Sequence, residues 1–83
     1  MKKVFIYALS TCPWCKKTKK FFQERNIPFD YIDCDLLEEE EQEKTFHKML
    51  EICGSTATPV VLIGDEVIVG YHPDRFLEAL GLA

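Results

Sequence analysis

The chain has 83 residues, 47% of them apolar and 12% aromatic, which suits one compact core and excludes a disordered segment. Ten lysines and arginines against 14 acidic residues leave a net charge of −4, which argues against a nucleic-acid binder. No apolar run approaches the ~20 residues of a membrane span, and Val4–Leu9 is shorter than the ~7–15 apolar residues of an export segment. The expectation is a single domain over residues 1–83, working in the reducing cytosol.

In chain order, Val4–Leu9 predicts a buried strand, since it is short, β-branched and aromatic, and ends at Ser10-Thr11. Cys12-Pro13-Trp14-Cys15 follows, and then a lysine-rich stretch of helical period. Pro13 suits a first helical position, where its missing amide would be unpaired anyway. Cys15, Thr18, Phe21 and Phe22 share one face, and Lys16, Lys17, Lys19 and Lys20 fill much of the rest. The pattern predicts a helix from Pro13 to Arg25, ended by Asn26-Ile27-Pro28.

Phe29–Cys34 alternates and predicts a second strand, with Phe29, Tyr31 and Asp33 on one side and Asp30, Ile32 and Cys34 on the other. A strand–helix–strand of this length implies a parallel pair with a right-handed crossover. The acidic run Glu38–Glu41 opens a second helix, whose buried stripe is Phe46, Met49, Leu50 and Cys53 and whose cap is Gly54. Thr58–Ile63 predicts a third strand, joined through Gly64-Asp65 to a fourth, Val67–Val69, as a hairpin. Pro73 opens a last helix that turns Phe76, Leu77 and Leu80 inward and ends near Gly81. The sum is an α/β chain: a four-stranded mixed sheet, in the order β-α-β-α-β-β-α, with helices on both faces.

The chemistry lies in where the two close cysteines fall. On a strand-to-helix turn, unpaired amides and the helix dipole stabilise an anion at the first sulfur. The thiolate is the nucleophile, so Cys12 is expected to attack a disulfide and Cys15 to resolve the mixed disulfide. The amides of Trp14 and Cys15 and the charges of Lys16 and Lys17 are the expected causes of a lowered Cys12 pKa. Pro13 stiffens this loop. Trp14 either packs in the core or offers a flat apolar face to a partner, and its position between two reachable cysteines argues for exposure.

Four cysteines also admit a different class, a zinc or iron–sulfur module with Cys12 and Cys15 as ligands. Such a site normally draws on a second close pair, whereas Cys34 and Cys53 are far apart in sequence. Cys53, on its helix's apolar stripe, is expected to be a buried, inert thiol, and Cys34, at a strand end, to be partly exposed. His47 and His72 read as surface residues. The lysines of the first helix and Glu38–Glu43 of the second read as two solvated faces, or else Lys16 and Lys17 steer an acidic partner toward Cys12.

Three segments together, Thr11-Cys12-Pro13-Trp14-Cys15, Thr58-Pro59 and Gly70-Tyr71, resemble the glutaredoxin family across essentially the whole chain. The resemblance implies a thioredoxin-like fold and a thiol–disulfide oxidoreductase that reduces protein or small-molecule disulfides by dithiol exchange. It also implies a cis bond at Pro59 facing Cys12. Substrate contacts would come from Pro13, Trp14, Thr58, Pro59, Gly70, Tyr71 and Asp74, with no metal and no bound cofactor. Glutathione-using members usually carry a lysine a few residues before the first cysteine, where this chain has Ala8-Leu9-Ser10. Gly70-Tyr71-His72-Pro73-Asp74 instead resembles NrdH-type redoxins, which thioredoxin reductase reduces and which supply electrons to ribonucleotide reductase. The expected reductant is therefore a thioredoxin-reductase-type flavoenzyme ahead of glutathione. The expected partners are disulfide-containing proteins such as ribonucleotide reductase, with no nucleic acid and no membrane, and the expected state is a monomer.

Overall fold

In the computed structural model, which describes residues 2–82, strand Val4–Ala8 (β1) leads into helix Pro13–Glu24 (α1) and strand Asp30–Asp33 (β2). Helix Glu39–Cys53 (α2), strands Val60–Ile63 (β3) and Glu66–Val69 (β4), and helix Pro73–Leu80 (α3) complete it. The strands lie in the order β2-β1-β3-β4. β1 runs parallel to β2 and antiparallel to β3, and β3 and β4 form the expected hairpin.

The pleat divides the apolar residues between two layers. Val4, Ile6 and Ala8 of β1 pack with Phe21 and Phe22 of α1 and Phe76 and Ala79 of α3. Tyr7 turns the other way, joining Cys34, Val60 and Met49 of α2, with Phe5 and Leu9 packed against them. Glycines close two helices in the left-handed conformation, Gly54 at φ 70° after α2 and Gly81 at φ 75° after α3.

Several boundaries differ from the sequence expectation for local reasons. α1 stops at Glu24, and Asn26 turns the chain at φ 55°, a conformation its short amide tolerates. β3 begins at Val60, the first residue paired to both Tyr7 and Val69, so Thr58-Pro59 forms a lead-in rather than strand. β2 ends at Asp33 because Cys34–Leu36 winds into one 3-10 turn.

That turn reverses the expectation for the two outlying cysteines. It carries Cys34 beneath α2, where the residue is 0% exposed beside Tyr7 and Met49 and burial pushes its thiol pKa up. Cys53 ends α2 and is only half-buried, its thiol donating to the Met49 and Ser55 carbonyls at 3.2 and 3.3 Å. Leu50 also departs from expectation, being 48% exposed: the sheet covers a stripe of Phe46, Met49, Ile52 and Cys53 and leaves Leu50 at its edge.

The topology then decides where loops meet. Tyr7 pairs with Val60 and Val60 with Val69, so the end of β1, the start of β3 and the end of β4 share one rim of the sheet. The loops carrying Cys12, Thr58-Pro59 and Gly70-Tyr71 therefore converge there. The Gly70 amide donates to the Pro59 carbonyl at 2.7 Å, and Gly70 sits at φ 94°. A Cβ at Gly70 would also come within 3.2 Å of His72 Nε2, so the turn is tight as well as left-handed.

Candidate active site

Cys12 is the residue that caps α1. Its backbone is extended, at φ −81° and ψ 117°, and Pro13 opens the helix. The position is usually filled by serine, threonine, aspartate or asparagine, whose oxygen accepts from an unpaired amide. Here a sulfur does so: the Cys15 amide donates to Cys12 Sγ at 3.4 Å. An anion at this position meets the positive end of the helix dipole.

The two sulfurs have opposite surroundings, and all four cysteines are free thiols. Partial burial works against ionising Cys12, but hydrogen bonds from the Cys15 thiol and amide, the Thr58 hydroxyl and the Trp14 amide outweigh it and lower the pKa. Cys15 is 0% exposed in the core beneath the loop. Burial, together with its hydrogen bond and proximity to Cys12, pushes its pKa up to about 11. The surroundings thus favour the anion at Cys12 and the neutral thiol at Cys15 behind it.

Thr58 supplies an electrostatic donor that its side chain alone controls. Thr58→Val keeps the volume and deletes the hydroxyl, so the Cys12 midpoint should rise. Iodoacetamide reactivity at neutral pH should fall by roughly three- to tenfold, in keeping with one hydrogen bond to a charged group. The loss should vanish at high pH, where Cys12 is ionised in either protein, and an unchanged pH profile would remove Thr58 from the set of donors.

Beside the dithiol lies a cleft of about 260 Å³ lined by Trp14, Thr58, Pro59, Gly70, Tyr71 and His72. The Thr58–Pro59 bond is cis, as the family resemblance implied. Trp14 is 54% exposed and lies against Tyr71, with ring centroids 5.8 Å apart, so the exposed alternative holds for it. Lys17 stands over the same indole, its Nζ 4.6 Å from the ring centre. Five expected contact residues, Trp14, Thr58, Pro59, Gly70 and Tyr71, therefore meet in one cleft. Pro13 is exposed at the helix start, and Asp74, in the first turn of α3, lines a neighbouring cleft instead.

The sequence reading missed three features of this rim. His72, expected on the surface, is exposed and also lines the cleft. The Tyr71–Trp14 contact joins residues 57 positions apart, and no local pattern announces it. Ser10, two residues before Cys12, donates its amide to Asp35 Oδ1 at 2.8 Å and its hydroxyl to Asp35 Oδ2. Both hydrogen bonds hold the Asp35 carboxyl below its ordinary pKa, so this flank of the loop carries a fixed negative charge.

A four-sulfur metal site is not assembled. Cys15 packs in the α1–α3 layer and Cys34 in the α2 layer, on opposite faces of the sheet. Among the described residues, no three His, Cys, Asp or Glu side chains group so as to hold an ion.

A sheet of this order, flanked by these helices and bearing a dithiol on the first helix's opening turn, defines a thioredoxin-fold redox protein. A family model described as glutaredoxin matches residues 4–68. The glutaredoxin-like protein NrdH of Lactococcus lactis is 34% identical over 72 residues, which is 87% of this chain and 92% of that one. A glutaredoxin-like 8.6 kDa protein in the rubredoxin operon of Clostridium pasteurianum is 33% identical over 76 residues, 88% of this chain and 95% of its own. Among solved structures, the Archaeoglobus fulgidus glutaredoxin superposes with a TM-score of 0.89 at 40% identity, over 96% of this chain and 87% of that one. Methanosarcina acetivorans methanoredoxin gives 0.87 at 41%, over 95% and 84%. The chain belongs to the glutaredoxin family.

Proposed function

We propose that the protein reduces disulfides by dithiol exchange, with Cys12 as nucleophile and Cys15 as resolving thiol. The observation that carries this reading is the Cys15 amide directed at Cys12 Sγ at 3.4 Å, with the Cys15 sulfur buried behind it. The Cys12 thiolate attacks one sulfur of the partner disulfide, forming a new S–S bond and expelling the other sulfur as a thiolate that takes a proton. Burial still favours the neutral Cys15 thiol, but bonding removes the hydrogen bond to Cys12 and the Cys12 charge that added to it, so the Cys15 pKa falls. Cys15 then loses its proton, attacks Cys12 Sγ and releases the second partner sulfur, which is protonated in turn. Two electrons and two protons pass to the partner, and a Cys12–Cys15 disulfide remains. An external thiol or flavoenzyme restores the dithiol by the reverse exchange.

The donor proposed is a thioredoxin-reductase-type flavoenzyme, ahead of glutathione. The stretch Ala8-Leu9-Ser10 stands where glutathione-using members usually carry a lysine, with Leu9 in its place, and the neighbouring Ser10 donates to the Asp35 carboxylate. An anionic tripeptide meets a negative flank there rather than a positive one. The proposed targets are protein disulfides of the kind ribonucleotide reductase presents, and the setting is a reducing cytosol. The Gly70-Tyr71-His72-Pro73-Asp74 ending and the NrdH relatives support this.

Parallel turnover assays on one disulfide peptide, with the flavoenzyme and its nicotinamide reductant or with glutathione, test the reading. Turnover at least severalfold faster with the flavoenzyme is expected. A clear preference for glutathione would reverse the donor assignment, and no turnover with either would remove the dithiol mechanism.

A further inference from the structure

A second cleft adjoins the one beside the dithiol at Tyr71, which lines both. It lies between α1 and α3, has a volume of about 510 Å³, and its apolar lining includes Phe21, Tyr71 and Leu77. Its α1 wall carries Lys17, Lys20 and Glu24, with Arg25 just past the end of the helix.

The cations of this wall are arranged in a particular way. Lys17 lies over Trp14 at 4.6 Å, and the Arg25 guanidinium lies over Phe21 at 3.9 Å. Stacking on the rings holds both groups along the cleft. Among the described residues, neither is paired with a carboxylate within 4.0 Å. Lys20 has one such contact, to exposed Glu24 at 3.8 Å, which is a weak one. Asp74 contributes the other acid, at the start of α3. Half of the ten basic residues fall between Lys16 and Arg25, in a chain whose net charge is −4. The opposite flank of the reactive loop carries the Asp35 carboxylate. The surroundings of Cys12 are therefore polarised, basic along α1 and acidic beside Ser10.

We propose that the α1–α3 cleft docks an acidic, extended segment flanking the reducible cysteine of a protein partner. This rests on the dithiol reading and adds the chemistry of the partner. The cysteine enters the apolar cleft at Thr58 and Trp14. The adjoining chain crosses Tyr71, and its carboxylates meet Lys17, Lys20 and Arg25. The Asp35 flank disfavours the reverse placement, so the charge pattern orients the partner as well as attracting it.

The test uses reduced full-length protein and three synthetic peptides, each with one internal disulfide, flanked on both sides by aspartates, asparagines or lysines. Formation of the Cys12–Cys15 disulfide is followed in single turnover by acid quench and mass spectrometry, so no electron donor is involved. At low ionic strength the aspartate peptide should react roughly tenfold faster than the asparagine peptide, and the lysine peptide slowest, as two or three exposed charge contacts allow. The advantage should shrink toward unity at ~1 M salt, where the screening length is ~3 Å.

In the double variant Lys20→Gln/Arg25→Gln the aspartate-to-asparagine ratio should also fall toward unity. The ratio is unaffected by how much of the variant is folded. Equal rates for all three peptides, a preference for lysine, or a ratio unchanged in the double variant would overturn the proposal. A concentration-dependent dimer broken by the same variant would also overturn it, by making a second copy the occupant. If no peptide oxidises the protein, the dithiol reading itself fails.

Discussion

Exchanging Cys15 for serine should abolish dithiol turnover while leaving the protein able to capture partners through Cys12. The hydroxyl is no nucleophile toward sulfur, so the reaction stops after the first exchange and the mixed disulfide accumulates. Capture should persist because the amide of residue 15, rather than its side chain, is the donor seen at 3.4 Å from Cys12 Sγ. Loss of the Cys15 thiol donor removes one of several groups favouring the thiolate, so alkylation of Cys12 should slow by roughly tenfold at most. Mass spectrometry of the trapped species should find the partner on Cys12. Cys34 is 0% exposed and so is no competing site, while Cys53 is half-buried against the Met49 and Ser55 carbonyls. Capture through Cys34 or Cys53 would reject the assignment of roles. Cys12→Ser should lose both capture and turnover.

Phe22→Ala should destabilise the fold more than any surface change. Phe22 is 0% exposed, with ring centroids 5.1 Å from Phe21, 5.4 Å from Phe76 and 5.9 Å from Phe29. Removing so large a buried ring forfeits its transfer free energy and leaves a cavity, about 3–5 kcal/mol in all. A small domain has only ~5–15 kcal/mol of stability, so the variant should be marginal or unfolded at room temperature. Chemical denaturation checks this through the midpoint at constant slope. A shift of less than about 1 kcal/mol would mean that the aromatic layer between α1, α3 and the sheet does not hold the fold together. Because Cys15 belongs to the same layer, its burial and raised pKa should be lost with it.

The elements that sequence pattern predicts well are those whose signal is local. Pro13 at the first helical position, the Cys15-Thr18-Phe21-Phe22 face and the glycine caps are settled within a few residues, and each holds in the structure. The convergence of Cys12, Thr58-Pro59 and Gly70-Tyr71 was legible only through family resemblance, since the β1–β3–β4 register that unites them is a long-range property. Cys34 and Cys53 exchanged their expected environments for the same reason. A strand end predicts exposure for Cys34 and a helix stripe burial for Cys53 only until one knows that a 3-10 turn folds Cys34 under α2 and that α2 ends at Cys53. Ser10 and Asp35 are 25 residues apart, and nothing near either of them marks the pair. The charge on the first helix was visible in sequence, but its alignment along a cleft required the packing of Phe21, Tyr71 and Leu77.

The most direct measurement is the pH dependence of alkylation at each cysteine of the reduced protein, read by mass spectrometry after short exposure to iodoacetamide. Reaction at Cys12 should rise through a midpoint below the ordinary thiol value and level off before unstructured thiols ionise, because its hydrogen bonds favour the anion in the folded state. Cys15 should stay unreactive until the solution approaches its pKa of about 11, and Cys34 should react only on unfolding. If Cys12 instead titrated at or above the value of a free peptide thiol, or reacted no faster than Cys15 at neutral pH, the helix-capping thiolate on which this account rests would not exist.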